Sequence, residues 1–494
     1  MATEFALLSP QHKGLPPDWR AGRLSDVAAL NPDQITTATH FERIAYVDIS
    51  CVSRGQISKP VDMPLSEAPS RARRLVRAGD TILSTVRPGN RAYAFIRSPP
   101  RNLVCSTGFV VLRARQGSAD PRFIYFLTSS ERVIQHLAVI AEKQTAYPSV
   151  TAKDVGECAV VIPPLPEQRA IARVLGTLDD EIVSRMGESK GLRRIFDLLM
   201  RHLLDGSWSV HEGESWLREV RPLVQAYDDK IELNRRMNQT LEEICRALFK
   251  FWFVDFGPVR AKAERRWKKG ESLPGMPADM WDLWPSEFED SEIGEIPKGW
   301  KVSRLSETCS TQYGYTASAT ELPLGPHLLR VTDINKAPWI DWASVPYCAI
   351  PPEDFQRYAL AEGDILVARM ADPGKSAIVE GRIEAVFASY LVRLKVASLA
   401  RAYYIFYFLR SDSYLEYVAG ARSGSVQANM NARVIVDVPC LSPPPEILGL
   451  FLAQVLPLRR RINIGLTETS TLAKTRDTLL PKLLSGEIRV RVDS

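Results

Sequence analysis

One stretch of this chain is written twice, and that repetition constrains the fold more than any other feature. Leu15-Pro16-Pro17-Asp18-Trp19 followed by Arg23-Leu24-Ser25 returns 281 residues later as Ile296-Pro297-Lys298-Gly299-Trp300 followed by Arg304-Leu305-Ser306. Further matches keep the same order. Val47-Asp48-Ile49 pairs with Thr332-Asp333-Ile334, Gly79-Asp80-Thr81-Ile82-Leu83 with Gly363-Asp364-Ile365-Leu366, and Pro88-Gly89 with Pro373-Gly374. Tyr125-Phe126-Leu127 pairs with Tyr407-Phe408-Leu409, and Leu203-Leu204-x-Gly206 with Leu483-Leu484-x-Gly486. The offset drifts only between 279 and 285, as it would if a few loop residues came and went. Two half-molecules of one design therefore share a polypeptide, and a bipartite target is expected.

At 494 residues the chain is too long for one ordinary core. With 45% hydrophobic and 24% charged residues it reads as globular, and no apolar run is long enough to span a bilayer. Met1-Ala2-Thr3-Glu4 lacks the character of a signal peptide. Seven scattered cysteines with no CxxC pair fit reduced thiols, so a cytoplasmic location is expected and a structural zinc is not. A net charge of +5 permits a nucleic-acid partner without demanding one.

Each half opens with short β-branched runs divided by Gly and Pro, such as Ile44–Ile49, Thr81–Val86 and Leu391–Val396, which read as strands. A helical stretch follows near Phe123–Leu137 and again near Tyr403–Val418, then a proline cluster, then a long periodic segment. Ile171, Leu175, Leu178 and Ile182 form an apolar seam, resumed by Leu192, Ile195, Leu199 and Leu203 after a break around Gly187. Val455, Leu458, Ile462, Leu472, Leu479 and Leu483 repeat it near the end, with Pro457 and Gly465 predicting a kink. Such seams pack helices lengthwise on one another.

A third helix copy stands in the middle: Asp179-Asp180-x-Ile182, Leu192 and Leu199 recur 49 residues on as Asp228-Asp229-x-Ile231, Leu241 and Leu248. Run end to end, the two central copies would lengthen the rod by roughly 70 Å at about 1.5 Å per residue. Residues 206–218 read as a turn. A helical hairpin or three-helix bundle is therefore predicted, with Ile231, Met237, Leu241, Ile244 and Leu248 against the Leu192–Leu203 stripe. The expected fold is α/β (α+β), in five parts. They are a compact domain over 10–166, a central helical region over 167–257 (copies 167–205 and 222–254), a charged linker over 258–295, a second domain over 296–445 and a terminal helix over 446–494.

Catalytic chemistry is hard to find. Pro373-Gly374-Lys375-Ser376 ends like a phosphate loop, but the required earlier glycine is Arg369. No Asn or Asp precedes the Pro-Pro pairs at 99–100, 163–164 and 351–352 in the way an adenine-gripping methyltransferase motif would need. The six histidines show no HxxxH spacing, and no serine lies in a nucleophile elbow. A non-catalytic chain with neither metal nor bound cofactor is expected.

The stretches "GLPPDW" and "EIPKGW", the junction "PPLPEQRAIARVLGTLDDEI", the helix "DDKIELNRRMNQTLEE", the run "ALFKFWFVDFGPVRAKAE" and the closing "LLPKLLSGEIRV" resemble type I restriction-modification specificity (S) subunits. The resemblance runs from about residue 10 to the end. It implies two target recognition domains, each reading half of a split double-stranded DNA sequence, set apart by long antiparallel coiled-coil helices. It also implies two modification subunits bringing S-adenosylmethionine, and restriction subunits using ATP and Mg. Two other readings stay open: the specificity subunit of a methylation-only or other phage-defence complex, and a helical protein-interaction scaffold.

The resemblance names no base-reading residues, so these are chosen by chemistry. Base edges call for Arg or Lys at guanine, Asn or Gln at adenine, and small hydroxyls. In the first half Arg87, Asn90 and Arg91 crowd a turn after a strand, and Lys143, Gln144, Thr145 and Tyr147 precede the proline junction. Their counterparts are Arg369 with Lys375, and Arg422, Ser423, Ser425, Gln427 and Asn429. Asp48 and Asp333 are expected to hold the fold, and Trp19 and Trp300 to anchor cores.

Overall fold

The computed structural model describes residues 15–36, 39–143, 148–184, 190–422 and 430–484. They divide into two compact units, Met1–Asp229 with Ala473–Ser494, and Lys230–Leu472.

In the first unit, β1 (Ala28–Leu30), β2 (Thr81–Ser84), β3 (Tyr93–Phe95) and β4 (Phe109–Ala114) form an antiparallel sheet in the order β1-β4-β2-β3. Alternation along β4 explains why it reads as one apolar run. Val110 and Leu112 face a core built with Phe123 and Phe126, while Phe109 and Val111 face another built with Val47 and Cys105. Covered on both faces, the strand has no solvent side to mark with polar residues. The second core lies against a sheet in which Leu103–Ser106 runs parallel to Arg43–Val47. Two helices cover the first core, α1 (Pro121–Ser129) and α2 (Glu131–Glu142). The Asp120 carboxylate caps α1 by accepting from the Arg122 and Phe123 amides, with Pro121 at the first helical position.

The second unit repeats this plan. β5 (Cys309–Tyr313), β6 (Ile365–Ala368), β7 (Ser376–Ile378) and β8 (Leu391–Val396) pair antiparallel in the matching order β5-β8-β6-β7. His327–Leu329 runs parallel to Ala385–Phe387, as the first unit's parallel pair does. α6 (Leu399–Phe408) and α7 (Asp412–Arg422) take the places of α1 and α2.

The repeated Gly-Asp motif now has a physical cause. Gly79 and Gly363 turn the chain at φ +89° and +88°, a region glycine enters without steric cost. The buried Asp80 then accepts from the Arg77 amide at 2.8 Å and from two nitrogens of Arg113 at 2.7 Å each. Asp364 likewise accepts from the Ala361 amide (3.0 Å) and from Arg393 (3.2 Å). Asp48 and Asp333 hold the fold as expected, bonding the Ile49 amide (2.7 Å) and the Arg330 amide (2.8 Å). Trp19 and Trp300 are buried anchors.

Four long helices follow the domains in sequence: α3 (Leu165–Ser184), α4 (Lys190–Leu204), α5 (Val210–Phe253) and α8 (Pro445–Leu484). Residues around Gly187 fall outside the described set. α4 and the start of α5 form the expected hairpin. A Cβ on Gly213 would sit 3.0 Å from Leu203, and one on Gly191 2.5 Å from Val224.

Two expectations about this hairpin need correction. The turn is shorter than 206–218, because residues from 210 onward are helical. A reciprocal cap starts the helix there: Ser209 amide and hydroxyl both donate to the Glu212 carboxylate, and the Glu212 amide donates back to the hydroxyl. The Leu192–Leu203 stripe shares its core with the α3 seam, with Val220 and Val224 of α5 and with Leu480 and Leu483 of α8. Ile231, Met237, Leu241, Ile244 and Leu248 lie in the second unit, where Ile244 is exposed and only Ile231 is fully buried. The inner face of α5 there is polar, with Asn234, Asn238 and Glu242 buried at a four-residue spacing. Asn234 donates to Glu468 at 3.1 Å and Arg459 to Glu242 at 2.6 Å, so α5 pairs antiparallel with α8. In the first unit the end of α8 meets both central helices, through Arg194–Asp477 at 2.6 Å and an Arg476–Asp228 ion pair. α8 is unbroken from 445 to 484, with Pro457 inside it.

The stretch over 258–295, expected as a charged linker, is folded. Trp267, Met280 and Trp284 are at most 2% exposed and pack with Trp252, Phe253 and Trp300. The Lys262 ammonium lies 3.7 Å from the Trp281 ring centroid and donates to the Trp281 and Trp284 carbonyls. The tryptophans of this charged stretch supply a core of their own.

Candidate nucleic-acid interface

In the first unit β2 runs into a turn that displays three candidate side chains. Arg87 takes φ 45°, residues Pro88–Asn90 make one 3-10 turn, and Arg91 takes φ 60°. The Asn90 amide donates to the Arg87 carbonyl and the Arg91 amide to the Pro88 carbonyl, both at 2.9 Å. The chain returning from α2 is zipped onto the same place. The Arg87 amide donates to Pro148 at 2.9 Å, and the Val150 amide to Thr85 at 2.8 Å. Lys143 stands at the end of α2, and the next described residues, Pro148 to Val150, are tied to the arginine turn. Arg87, Asn90 and Lys143 are exposed, while Arg91 is held by Glu131 at 2.7 Å. Gln144, Thr145 and Tyr147 lie outside the described residues.

The second unit builds the same platform. The Arg369 amide donates to the Tyr390 carbonyl at 3.0 Å, and the Met430 amide donates to the Arg369 carbonyl at 2.9 Å. Thr85 and Arg369 thus hold equivalent places, as do Val150 and Met430. The Arg369 guanidinium lies 4.9 Å from the Tyr313 ring centroid, and the Tyr313 hydroxyl accepts the Ala432 amide at 2.9 Å. The turn continues through Ala371 at φ 62° and Gly374 at φ 90° to the exposed Lys375. A Cβ on Gly374 would meet Val418 of α7 at 3.0 Å, so the turn rests on that helix. Arg422 ends α7, and its side chain, with Ser423, Ser425, Gln427 and Asn429, lies outside the described residues.

Sequence reasoning missed Arg54 and Tyr313. The hairpin tip Ser53-Arg54-Gly55-Gln56 is bonded to the arginine turn, Arg54 amide to Arg91 carbonyl at 2.9 Å and Gly55 amide to Tyr93 carbonyl at 2.8 Å. Arg54-Gly55 between two short β-branched runs was the available turn signal. Nothing in the local pattern marks Tyr313 as the ring beneath Arg369, because 56 residues separate them.

The described residues hold no group of three His, Cys, Asp or Glu placed to bind a metal. Burial pushes the Cys105, Cys158 and Cys440 thiols up to about 12, far from the range of a reactive thiolate. No described helix is long and apolar enough to cross a membrane. The arrangement suits binding through exposed arginine, lysine and amide groups on the described turns and helix ends.

Comparison with known proteins adds a family likeness. Residues 16–189 match the family model of the type I restriction modification DNA specificity domain. The likeness is to the type I restriction-modification specificity family, over about a third of the chain. The specificity subunit of the type I restriction enzyme HindI from Haemophilus influenzae is 24% identical, over 95% of this chain and 100% of that one. The MjaIX specificity subunit from Methanocaldococcus jannaschii is 26% identical, over 55% of this chain and 59% of its own length. The crystal structure of the HsdS subunit from Thermoanaerobacter tengcongensis aligns with a TM-score of 0.38 and 21% identity, over 97% of this chain and 100% of that one. The matched segment ends in the central helices, and the second unit repeats its plan by internal duplication.

Proposed function

We propose that this specificity subunit reads a bipartite double-stranded DNA target, one half-site per unit, for a type I restriction-modification complex. The observation that carries this reading is the duplicated platform. In each unit the turn after the central strand and the return from a helix pair are bonded together, and they carry different side chains, Arg87 and Asn90 in one and Arg369 and Lys375 in the other. One backbone plan bearing two sets of polar groups suits two unlike half-sites. The subunit supplies recognition and no chemistry. Two modification subunits bring S-adenosylmethionine, and restriction subunits add ATP and Mg. Sequencing methylated adenine in genomic DNA with and without this chain tests the proposal. A split motif that vanishes on deletion supports it; an unchanged pattern refutes it. Charge reversal at Arg87, Arg91 and Lys143 should abolish the motif while complex assembly persists, and loss of assembly alone would favour a scaffold.

A further inference from the structure

Seven non-glycine residues adopt a positive φ among the described residues, and three of them are arginines of one surface patch: Arg54 (φ 43°), Arg87 (φ 45°) and Arg91 (φ 60°). They are contiguous through backbone, since the Arg54 amide donates to the Arg91 carbonyl and Arg87 and Arg91 bound a single 3-10 turn. A left-handed conformation crowds Cβ against the backbone carbonyl, a strain that glycine escapes. At Arg87 the positive φ comes with the turn itself, because Ala371, in the corresponding turn of the second unit, has φ 62°. Glycine would satisfy the backbone at both positions, so the arginine side chains are kept against a local cost. Strain of this kind collects where a side chain is held for function.

The partners of these arginines differ. Arg91 is ion-paired to Glu131 and braces the patch from below. Elsewhere in the unit Arg71, Arg97, Arg113 and Arg122 are ion-paired as well. Arg54 and Arg87 are exposed, and neither guanidinium makes a hydrogen bond or close ion pair among the described residues, although the Arg54 charge acts at longer range on Asp197. Two free guanidinium forks on a rigid, backbone-bonded base match the paired O6 and N7 acceptors of guanine in a major groove. A phosphate contact needs no such fixed base, since any flexible cation on the surface makes one.

We infer that Arg54 and Arg87 read guanines in the half-site of the first unit. The inference rests on the DNA-reading function proposed above. The test uses the full complex in cells, with Arg54→Gly and Arg87→Gly variants and sequencing of methylated adenines. Each variant should keep or raise the melting temperature of the purified subunit, because glycine relieves the turn. Each should relax one guanine position of one half-site by about ten-fold or more, with the other half-site unchanged. Equal loss of methylation across all sequences, no relaxation, or a lowered melting temperature would overturn the assignment. A wild-type complex that yields no split motif would instead sink the parent reading.

Discussion

Arg459 offers the sharpest test of how the second unit is held together. Its side chain is fully buried between two carboxylates, Glu242 of α5 and Glu380. It donates to Glu242 at 2.6 Å, to Glu380 at 2.8 and 2.7 Å, and to the Pro338 carbonyl at 3.2 Å. Tyr407 and Tyr403 add hydroxyl bonds to the same two carboxylates, at 3.1 and 2.7 Å. Arg459→Ala removes the cation and leaves two acids, 5% and 8% exposed, without their main counter-charge. Breaking a buried pair in this way costs about 3–5 kcal/mol. For a unit of this size that is a fall in melting temperature of roughly 6–20 °C. Urea or thermal unfolding followed by the fluorescence of Trp252, Trp267 and Trp284 measures it. The sign with pH also follows. Burial already raises the Glu242 carboxyl above its usual range. A carboxyl raised on folding contributes stability that is complete below its unfolded pKa and is lost as pH climbs through its folded pKa. With Arg459 gone that penalty grows, so the deficit should be larger at pH 7 than near pH 5. Arg459→Met combined with Glu242→Gln and Glu380→Gln should recover most of the loss, since neutral groups carry no such charge penalty. A deficit under about 1 kcal/mol, or no recovery in the triple variant, would refute the reasoning.

Arg97→Glu should destabilise the first unit by about 1–3 kcal/mol, and Asp179→Arg in the same chain should restore most of it; thermal unfolding of the single and double variants decides. Trp284→Ala should cost about 3–5 kcal/mol if residues 258–295 are a packed layer, whereas a loss within 0.5 kcal/mol in denaturant unfolding would return them to a solvated linker. Alkylation of native protein near pH 8 should modify the half-buried Cys51 first, with Cys105, Cys158 and Cys440 reacting only after denaturation. Peptide mass spectrometry reads the order, and early labelling of Cys105 would contradict its burial.

What was legible beforehand divides by the range of the interaction that encodes it. The duplicated domains, the strand runs and the α4–α5 hairpin follow from local pattern, and each is present. The Gly-Asp motif was visible as a repeat, but its reason was not, because Arg113 closes the Asp80 bond from 33 residues away. The α5 seam was misjudged because apolar spacing was the guide, while the residues that meet α8 are Asn234, Asn238 and Glu242. A polar seam pays no attention to hydrophobic periodicity; its signal is the partner charge on a helix two hundred residues distant. Ser209-x-x-Glu212 was a local sign of the true start of α5, and the glycines around it masked it. At the candidate interface the arginine turn was found by composition, whereas Arg54 joins it only through a bond between separate loops.

The duplication itself ends in an opposition of charge. Ile96 and Val379 are equivalent, because each exchanges backbone bonds with the Gly-Asp turn of its own unit, to Gly79 and Asp80 in one and to Gly363 and Asp364 in the other. The residues that follow them are Arg97 and Glu380. On the helices, the buried positions Ile171, Leu175 and Ile182 of α3 match Phe451, Val455 and Ile462 of α8 at a constant offset of 280, and the same offset aligns Asp179 with Arg459. The first unit therefore sets an arginine of the domain against an aspartate of the helix, at 3.3 Å. The second sets a glutamate of the domain against an arginine of the helix, at 2.7 Å. Two domains with one backbone plan and one apolar seam could dock on either helix as far as hydrophobic burial is concerned, since that term has no direction. Charge separates the alternatives. A first domain on α8 would put Arg97 against Arg459, and a second domain on α3 would put Glu380 against Asp179. Each wrong pairing sets like charges together where the right one makes an ion pair, half-exposed at Arg97 and buried at Arg459, and repulsion of that kind discriminates between partners that hydrophobic contact leaves equal. The copies thus carry opposite signs at a place where each domain meets its own helix.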